Sequence, residues 1–455
     1  MKNGKRSSFS GKLGYVLAAA GASVGLGNIW RFPYLAAKYG GGIFLIIYIV
    51  LALTFGYTMI VAETAIGRMT RKSPVGAFKS FGKKKWLSFG GWINAVIPVL
   101  IVPYYSVIGG WVIKYLVEYF RGNAKQLAED GYFTDFISNG VSTELCFMAF
   151  CAFTLIIIFA GVQNGIERVS KIMMPILIVL SVIIAVYSVT RPGALAGVKY
   201  FLVPNVKNFS WMTVVSAMGQ MFYSLSIAMG ILITFGSYMK KDTAIEDSTR
   251  NVEVFDTGIA IMAGLMIIPA VFAFSGGDPD TLQAGPSLMF ITIPKVFQNM
   301  GFGTVIGIVF FLLVLFAAVT SSIALTESAV STFEDELGWG RKKATVLVGV
   351  IMLVLGSLSS LGYGPLAGIK IIGMQFLDLF DFLTNSVMMP IAALLTSLLV
   401  SRVVGIDKIE EEIIHGESAF RRKKVFVVMI KYLCPVFAII ILLSSVANAL
   451  GWIKM

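Results

Sequence analysis

The sequence predicts an all-α polytopic membrane protein with about 11 transmembrane helices, built as two inverted five-helix repeats with broken helices 1 and 6. Three observations carry that expectation. The 455-residue chain is 57% hydrophobic and only 14% charged, with a mean hydropathy of +0.82. Globular domains use roughly 45–50% apolar and about 25% charged residues, so no soluble core hides this much apolar surface. Eleven runs are long and apolar enough to cross a bilayer. Two of them, five spans apart, carry breaks.

The runs are 13–37, 42–67, 89–119, 144–161, 166–189, 213–238, 251–274, 302–333, 343–361, 376–401 and 425–452. They divide the chain into a tail (1–12), a first repeat (13–189), a connecting loop (190–212) and a second repeat (213–401). An amphipathic loop (402–424) and a last helix with a short tail (425–455) follow. With the N-terminus on the cytoplasmic side, inner segments hold 26 of the 37 lysines and arginines. That bias is the positive-inside signature and predicts a multi-pass plasma-membrane protein with a cytoplasmic N-terminus. It also accounts for the net charge of +12 without invoking nucleic acid.

The first span contains "AAAGASVGLGNIWRFP" (18–33), where Gly21, Gly25 and Gly27 make interruption cheap and Asn28, Arg31 and Pro33 follow. The sixth contains "GQMFYSLSIAMG", with Ser224, Ser226, Ala228 and Gly230 beside Gln220. Irregular backbone is tolerated in hydrocarbon only where it is buried in protein or lines a cavity. Unwinding frees carbonyls for a hard cation and half-helix N–H groups for a carboxylate. Glycine-rich helix packing is the alternative reading of either span alone.

Other polar groups inside the membrane are candidates because they are costly there. Asp256, in "VEVFDTGIA", needs a cation or a proton. Thr320 and Ser321, in "AAVTSSIAL", can point two hydroxyls at an ion or bond their own helix. Glu63, deep in the second span, is expected to tether N–H groups of the broken sixth. The segment 275–301 reads either as a lid or as a connecting loop, and 406–424 as an amphipathic helix on the inner membrane surface. His415 lies in that segment as a solvated histidine or a pH sensor. Cys146, Cys151 and Cys434 lie in apolar runs and suggest neither disulfide nor metal site. With a single histidine and no paired acid and base at the breaks, an enzyme is not expected.

"GASVGLGNIWRFPYLAAKYGGGIF", "GQMFYSLSIAMG", "AVTSSIAL" and "STFEDEL" resemble the neurotransmitter:sodium symporters, especially bacterial amino-acid members, from Arg6 to about Gly405. The resemblance implies Na⁺-driven import of a hydrophobic or aromatic L-amino acid by alternating access. A proton-coupled carrier using Asp256 and a transport-inactive sensor are the alternatives. Two sodium ions are implied. The first would use the Ser23 carbonyl, Asn28, Ser224, Asp256 and the substrate carboxylate. The second would use the carbonyls of Gly21, Val24 and Ala317 with Thr320 and Ser321. Asp256 supplies a charge that animal relatives obtain from chloride, so chloride is not expected to be required.

The resemblance further places Ser23, Gly27, Tyr105, Tyr223, Ser224 and Ser226 around the substrate's polar end, and Ile101, Met229, Ser321 and Leu325 around its side chain. Arg31 would pair through water with Asp381, or with Asp378, above a lid of Tyr105 and Tyr223. On the inner side Arg6 would pair with Asp335, near Phe9, Tyr238 and Glu327. Phe9 stands where relatives have tryptophan, which implies weaker anchoring of the tail. Gly165 and Pro175 fit a glycine–proline pattern that lets the fifth helix unwind. A monomer or weak homodimer in lipid is expected.

Overall fold

The computed structural model describes residues 6–276, 285–449, 451 and 452, and it is helical without strands there. Residues 1–5 of the predicted tail, 277–284 of the segment read as a lid or a connecting loop, and 450 and 453–455 of the last segment lie outside the described residues.

Among the described residues nine helices are long and apolar enough to span a bilayer. They are Gly42–Thr70, Lys85–Phe120, Gly140–Phe159, Val162–Val189, Ile245–Ser275, Gly303–Leu337, Arg341–Leu361, Phe376–Val404 and Lys423–Ala449. The first span is a pair, Lys12–Ser23 and Gly27–Lys38, bent by 53° at its break. The sixth is Trp211–Ser224 and Ile231–Tyr238, each half too short to cross alone. Together they make the eleven predicted spans. Several helices run beyond the predicted limits; the seventh begins at Ile245, not 251. Hydropathy sees only the apolar stretch, whereas the helix continues through its charged first turn.

Each break has a backbone cause. In the sixth span Ser226, Ala228 and Gly230 have φ of 52°, 59° and 70°. Left-handed backbone costs a residue with a Cβ roughly 1–2 kcal/mol, so Ser226 and Ala228 need compensation. They have it: the Ala228 N–H donates to Glu63 Oε1 at 2.8 Å, the predicted tether. Ser226 Oγ donates to the Ala22 carbonyl at 2.9 Å, linking the two breaks. The second and sixth spans can approach this closely because Gly67 and Gly236 lack side chains. A Cβ on either would strike a backbone carbonyl of the other helix, Ile233 or Thr64.

The segment read as a lid or a connecting loop is described from residue 285 on. Leu288–Gln298 is helical, and Phe290 packs among Trp111, Tyr115 and Phe133 at one end of the third span. The segment 406–424 packs against the helix bundle. Ile406–Ile414 is helical, but Ile409, Glu412 and Ile413 are buried in protein. Glu412 Oε1 accepts from Arg68 Nε at 2.7 Å, and its Oε2 from Lys241 at 2.7 Å. An apolar stripe seeks any low-dielectric cover, and here the second span supplies it, with a buried ion pair as the docking point.

Candidate transport site

The two breaks face each other at the centre of the helix bundle. Besides the Ser226–Ala22 bond, Gln220 Nε2 donates to the Gly27 carbonyl at 3.0 Å. Between them and the third and eighth spans lies a small cavity of about 30 Å³. Ser23 and Gly27 line it from the first span and Tyr223, Ser226 and Met229 from the sixth. Ile101 and Tyr105 close it from the third span, and Ser321 and Leu325 from the eighth. Nine of the ten predicted substrate residues therefore share one wall system. The tenth, Ser224, does not reach it, because its hydroxyl turns to Asp256. The cavity also touches Gly25, which the sequence marks only as one of the glycines that break the first span. A Cβ there would sit 2.7 Å from Ser321 Oγ and 3.1 Å from the Tyr105 hydroxyl, so the chain must be bare at this point.

Beside the cavity, Asp256 is fully buried and bonded on every side. Asn28 Nδ2 donates to its Oδ1 at 2.8 Å, Ser224 Oγ to Oδ1 at 2.9 Å, and the Tyr48 hydroxyl to Oδ2 at 2.9 Å. All three partners are neutral, and among the described residues Asp256 makes no ion pair. A buried carboxylate in that position requires a cation or a proton to balance it. Carboxylate, amide and hydroxyl oxygens are the donors a hard cation prefers. Tyr48 was not legible beforehand, because a tyrosine in an apolar run ordinarily reads as core.

A second cluster sits behind the first break. Ser321 Oγ lies 3.2 Å from the Gly21 carbonyl, 3.1 Å from that of Ala22 and 3.5 Å from that of Val24. Thr320 Oγ1 bonds the carbonyls of Phe316 (2.9 Å) and Ala317 (3.2 Å). All five residues predicted for a second cation are thus brought together, and their oxygens again form a hard-donor set.

The chain matches the sodium:neurotransmitter symporter family over residues 6–130 and 117–452. It belongs to that family. It is similar to an uncharacterized sodium-dependent transporter of Bacillus subtilis (strain 168), 34% identical over 450 residues, 98% of this chain and 99% of that protein. The sodium- and chloride-dependent GABA transporter 2 of Homo sapiens is 26% identical over 474 residues, 90% of this chain and 75% of that protein. Among solved structures, that of MhsT in complex with L-phenylalanine aligns with a TM-score of 0.86 and 34% identity, covering 97% of this chain and 100% of MhsT. The protein is a sodium-coupled membrane transporter.

On the side of this symporter away from the tail, a vestibule opens above the cavity, and Tyr223 lines both. Arg31, Asp378 and Asp381 all face the vestibule. Arg31 makes no direct ion pair with either acid; its guanidinium lies 5.4 Å over the Tyr223 ring. Asp381 accepts from Asn385 at 2.6 Å and from the Tyr104 hydroxyl at 3.2 Å, and Asp378 from Tyr363 at 3.3 Å.

The tail side is shut. Arg6 Nη1 meets Asp335 at 2.6 Å, and Nη2 donates to Ser237 and Ser331, each at 2.9 Å. Phe9 is buried, with the rings of Phe235, Tyr15 and Tyr238 within 5.5–6.1 Å, and its N–H donates to the Tyr238 carbonyl at 3.0 Å. Packing and a backbone bond therefore hold the tail at Phe9. Glu327 accepts from Tyr238 at 2.7 Å and from both Nη atoms of Arg341, at 3.0 and 2.6 Å. Arg341 was invisible beforehand because it reads as one more inner-face cation. Arg341→Ala leaves Glu327 buried without its counter-charge, which costs about 3–5 kcal/mol. A thermal-melt measurement in detergent should show a clearly lowered midpoint; an unchanged one shows that Glu327 is not stabilised by Arg341.

Gly165 lies in the wide first turn of the fifth span, Val162–Glu167, against the Ile157 carbonyl, and Pro175 sits within the continuous helix that follows. The fifth span is helical from Val162 to Val189 in this conformation.

Proposed function

We propose that the protein imports a hydrophobic or aromatic L-amino acid together with two Na⁺ ions, by alternating access, with its N-terminus in the cytoplasm. The observation that carries this reading is Asp256, buried among neutral donors beside a cavity walled by two broken helices. One cation would sit among Asp256, Asn28, Ser224 and the Ser23 carbonyl. The other would sit among Thr320, Ser321 and the carbonyls of Gly21, Val24 and Ala317. The substrate carboxylate would meet the Gly27 N–H, the Tyr105 hydroxyl and the first ion, and the amine would meet carbonyls near Ser23 and Tyr223. Met229 and Leu325 give the side-chain end an apolar, adaptable lining. MhsT, whose structure holds L-phenylalanine, supports the aromatic substrate class. Asp256 provides the negative charge locally, so chloride is dispensable.

Closed tail-side contacts and an open vestibule match a carrier loaded from outside. Coupling is energetically adequate, since each charge moved inward gains about 2.3 kcal/mol per 100 mV. Uptake of radiolabelled phenylalanine and leucine into proteoliposomes, with Na⁺ replaced by choline, tests the reading. Uptake that persists in choline and follows an imposed pH gradient replaces it with a proton carrier titrating Asp256. Tyr105→Phe should raise the substrate KM by about tenfold, the loss of one hydrogen bond to a charged group; an unchanged KM takes the hydroxyl out of the carboxylate site.

A further inference from the structure

The last span, Lys423–Ala449, does not line the central cavity, and one of its faces is bare. Val428, Tyr432 and Val436, one turn apart from each other, are 50%, 65% and 49% exposed. Apolar side chains exposed at that spacing form a single stripe, and on a membrane-spanning helix such a stripe meets acyl chains. Lys424 and Lys431 fall on the same stripe, four residues before Val428 and three after it, and both are exposed. Residues 425–430 between them are all apolar. Lys431 therefore stands eight residues, or about 12 Å, along the span from Lys423.

The tenth span brings a second cation to this level. It ends in a wide, π-type turn, Val400–Val404, and the last span has another at Met429–Leu433. The two turns pack against each other, and each carries one cation, Arg402 in the first and Lys431 in the second. Arg402 is exposed as well. Neighbouring cations are already matched: Lys423 meets Glu410 at 2.5 Å, Arg422 meets Glu253 at 3.2 Å, and Arg68 and Lys241 share Glu412. Among the described residues, Arg402, Lys424 and Lys431 have neither an ion pair nor a side-chain hydrogen bond. A cation at the edge of hydrocarbon with no acid beside it is costly, and it relieves that cost by reaching a lipid headgroup. Tyr432, beside Lys431 on the exposed face, is the amphipathic ring that settles at the same depth.

We propose that Arg402 and Lys431, with Lys424 toward the water, form a binding site for one anionic phospholipid on the tail side of the membrane. Its phosphate sits at the paired wide turns, and its acyl chains run along the stripe that continues through Val436. Three cations without an acid select an anionic headgroup over a zwitterionic one, whose own ammonium would face them. That the tail side is the cytoplasmic leaflet rests on the orientation proposed above; the site itself rests neither on that orientation nor on sodium coupling.

Native mass spectrometry of the full-length protein in detergent, titrated with phosphatidylglycerol, tests it. The parent should retain one phosphatidylglycerol and bind phosphatidylcholine about tenfold more weakly. Lys431→Gln and Arg402→Gln should each weaken that first lipid about fivefold, the value of one basic residue near an anionic surface, and together about 25-fold. Lys431→Arg, which keeps the charge, should bind as the parent does. Replacing Lys83 and Lys84 by glutamine removes two exposed charges from another tail-side loop and should leave the first lipid in place. Equal binding of phosphatidylcholine, or an equal loss in the Lys83 and Lys84 variant, reduces the effect to unspecific attraction and overturns the site. Displacement of the lipid by millimolar inorganic phosphate overturns it in favour of a free-anion site. A parental dimer that holds no lipid and that Lys431→Gln dissolves gives the face to a second copy of the chain and overturns it as well.

Discussion

Asp256→Asn is expected to raise the Na⁺ concentration for half-maximal uptake by about tenfold or more and to make transport respond to chloride. The carboxylate has no cationic side chain bonded to it, so its charge is free to balance a bound ion. Two unit charges 4 Å apart interact by about 4 kcal/mol at an effective dielectric constant of 20, so losing one comfortably exceeds a tenfold effect. Asparagine keeps the size and one oxygen, which separates charge from geometry. The Tyr48 and Ser224 hydroxyls that donate to the carboxylate would then face a neutral amide. Those freed donors are where a small anion could restore the balance. Uptake measured over a Na⁺ series in chloride and in gluconate reads both effects. Identical Na⁺ curves for parent and variant would remove Asp256 from the cation site, whatever the chloride result.

Gly27→Ala is expected to weaken substrate binding about a hundredfold while leaving the protein folded. A Cβ at Gly27 would enter the ring of Tyr223, the residue that separates the cavity from the vestibule. The ring can escape only by moving out of the wall it completes. Overpacking a tight interior costs about 1–3 kcal/mol, and here that strain falls on the lid of the cavity. The Gly27 N–H, proposed to hold the carboxylate, is displaced at the same time. Scintillation-proximity binding should fall by about a hundredfold, near the top of that strain range, with size-exclusion behaviour unchanged. Binding that survives at parental affinity shows that Tyr223 has room and that Gly27 is not the contact.

Much of the site was legible because hydrocarbon makes polar atoms expensive. Asn28, Asp256, Thr320, Ser321 and the glycines of the first span stand out against apolar neighbours, and each lies at the breaks or their clusters. Ser224 was placed in both the substrate and cation sets, and only the rotation of its side chain assigned it to Asp256 alone. Tyr48 and Arg341 gave no signal. One is an aromatic in an apolar run and the other a basic residue at a span end, and both patterns are common for reasons unrelated to a site. In the 406–424 segment the signal was present but ambiguous: Glu412 falls on the stripe of Ile409 and Ile413, where a surface helix has no use for a carboxylate.

The sequence by itself determined that the chain crosses the membrane about eleven times, which spans break, and which residue types gather at the breaks. Those are local properties, because the cost of a charge or an unpaired carbonyl in hydrocarbon depends on where the residue sits along its own helix. Only the tertiary structure decided which oxygens share a space, that Arg31 lies over Tyr223 without a direct acidic partner, and that Ile406–Ile414 docks on the second span. Those are distances between segments far apart in the chain, and composition and periodicity carry no record of them.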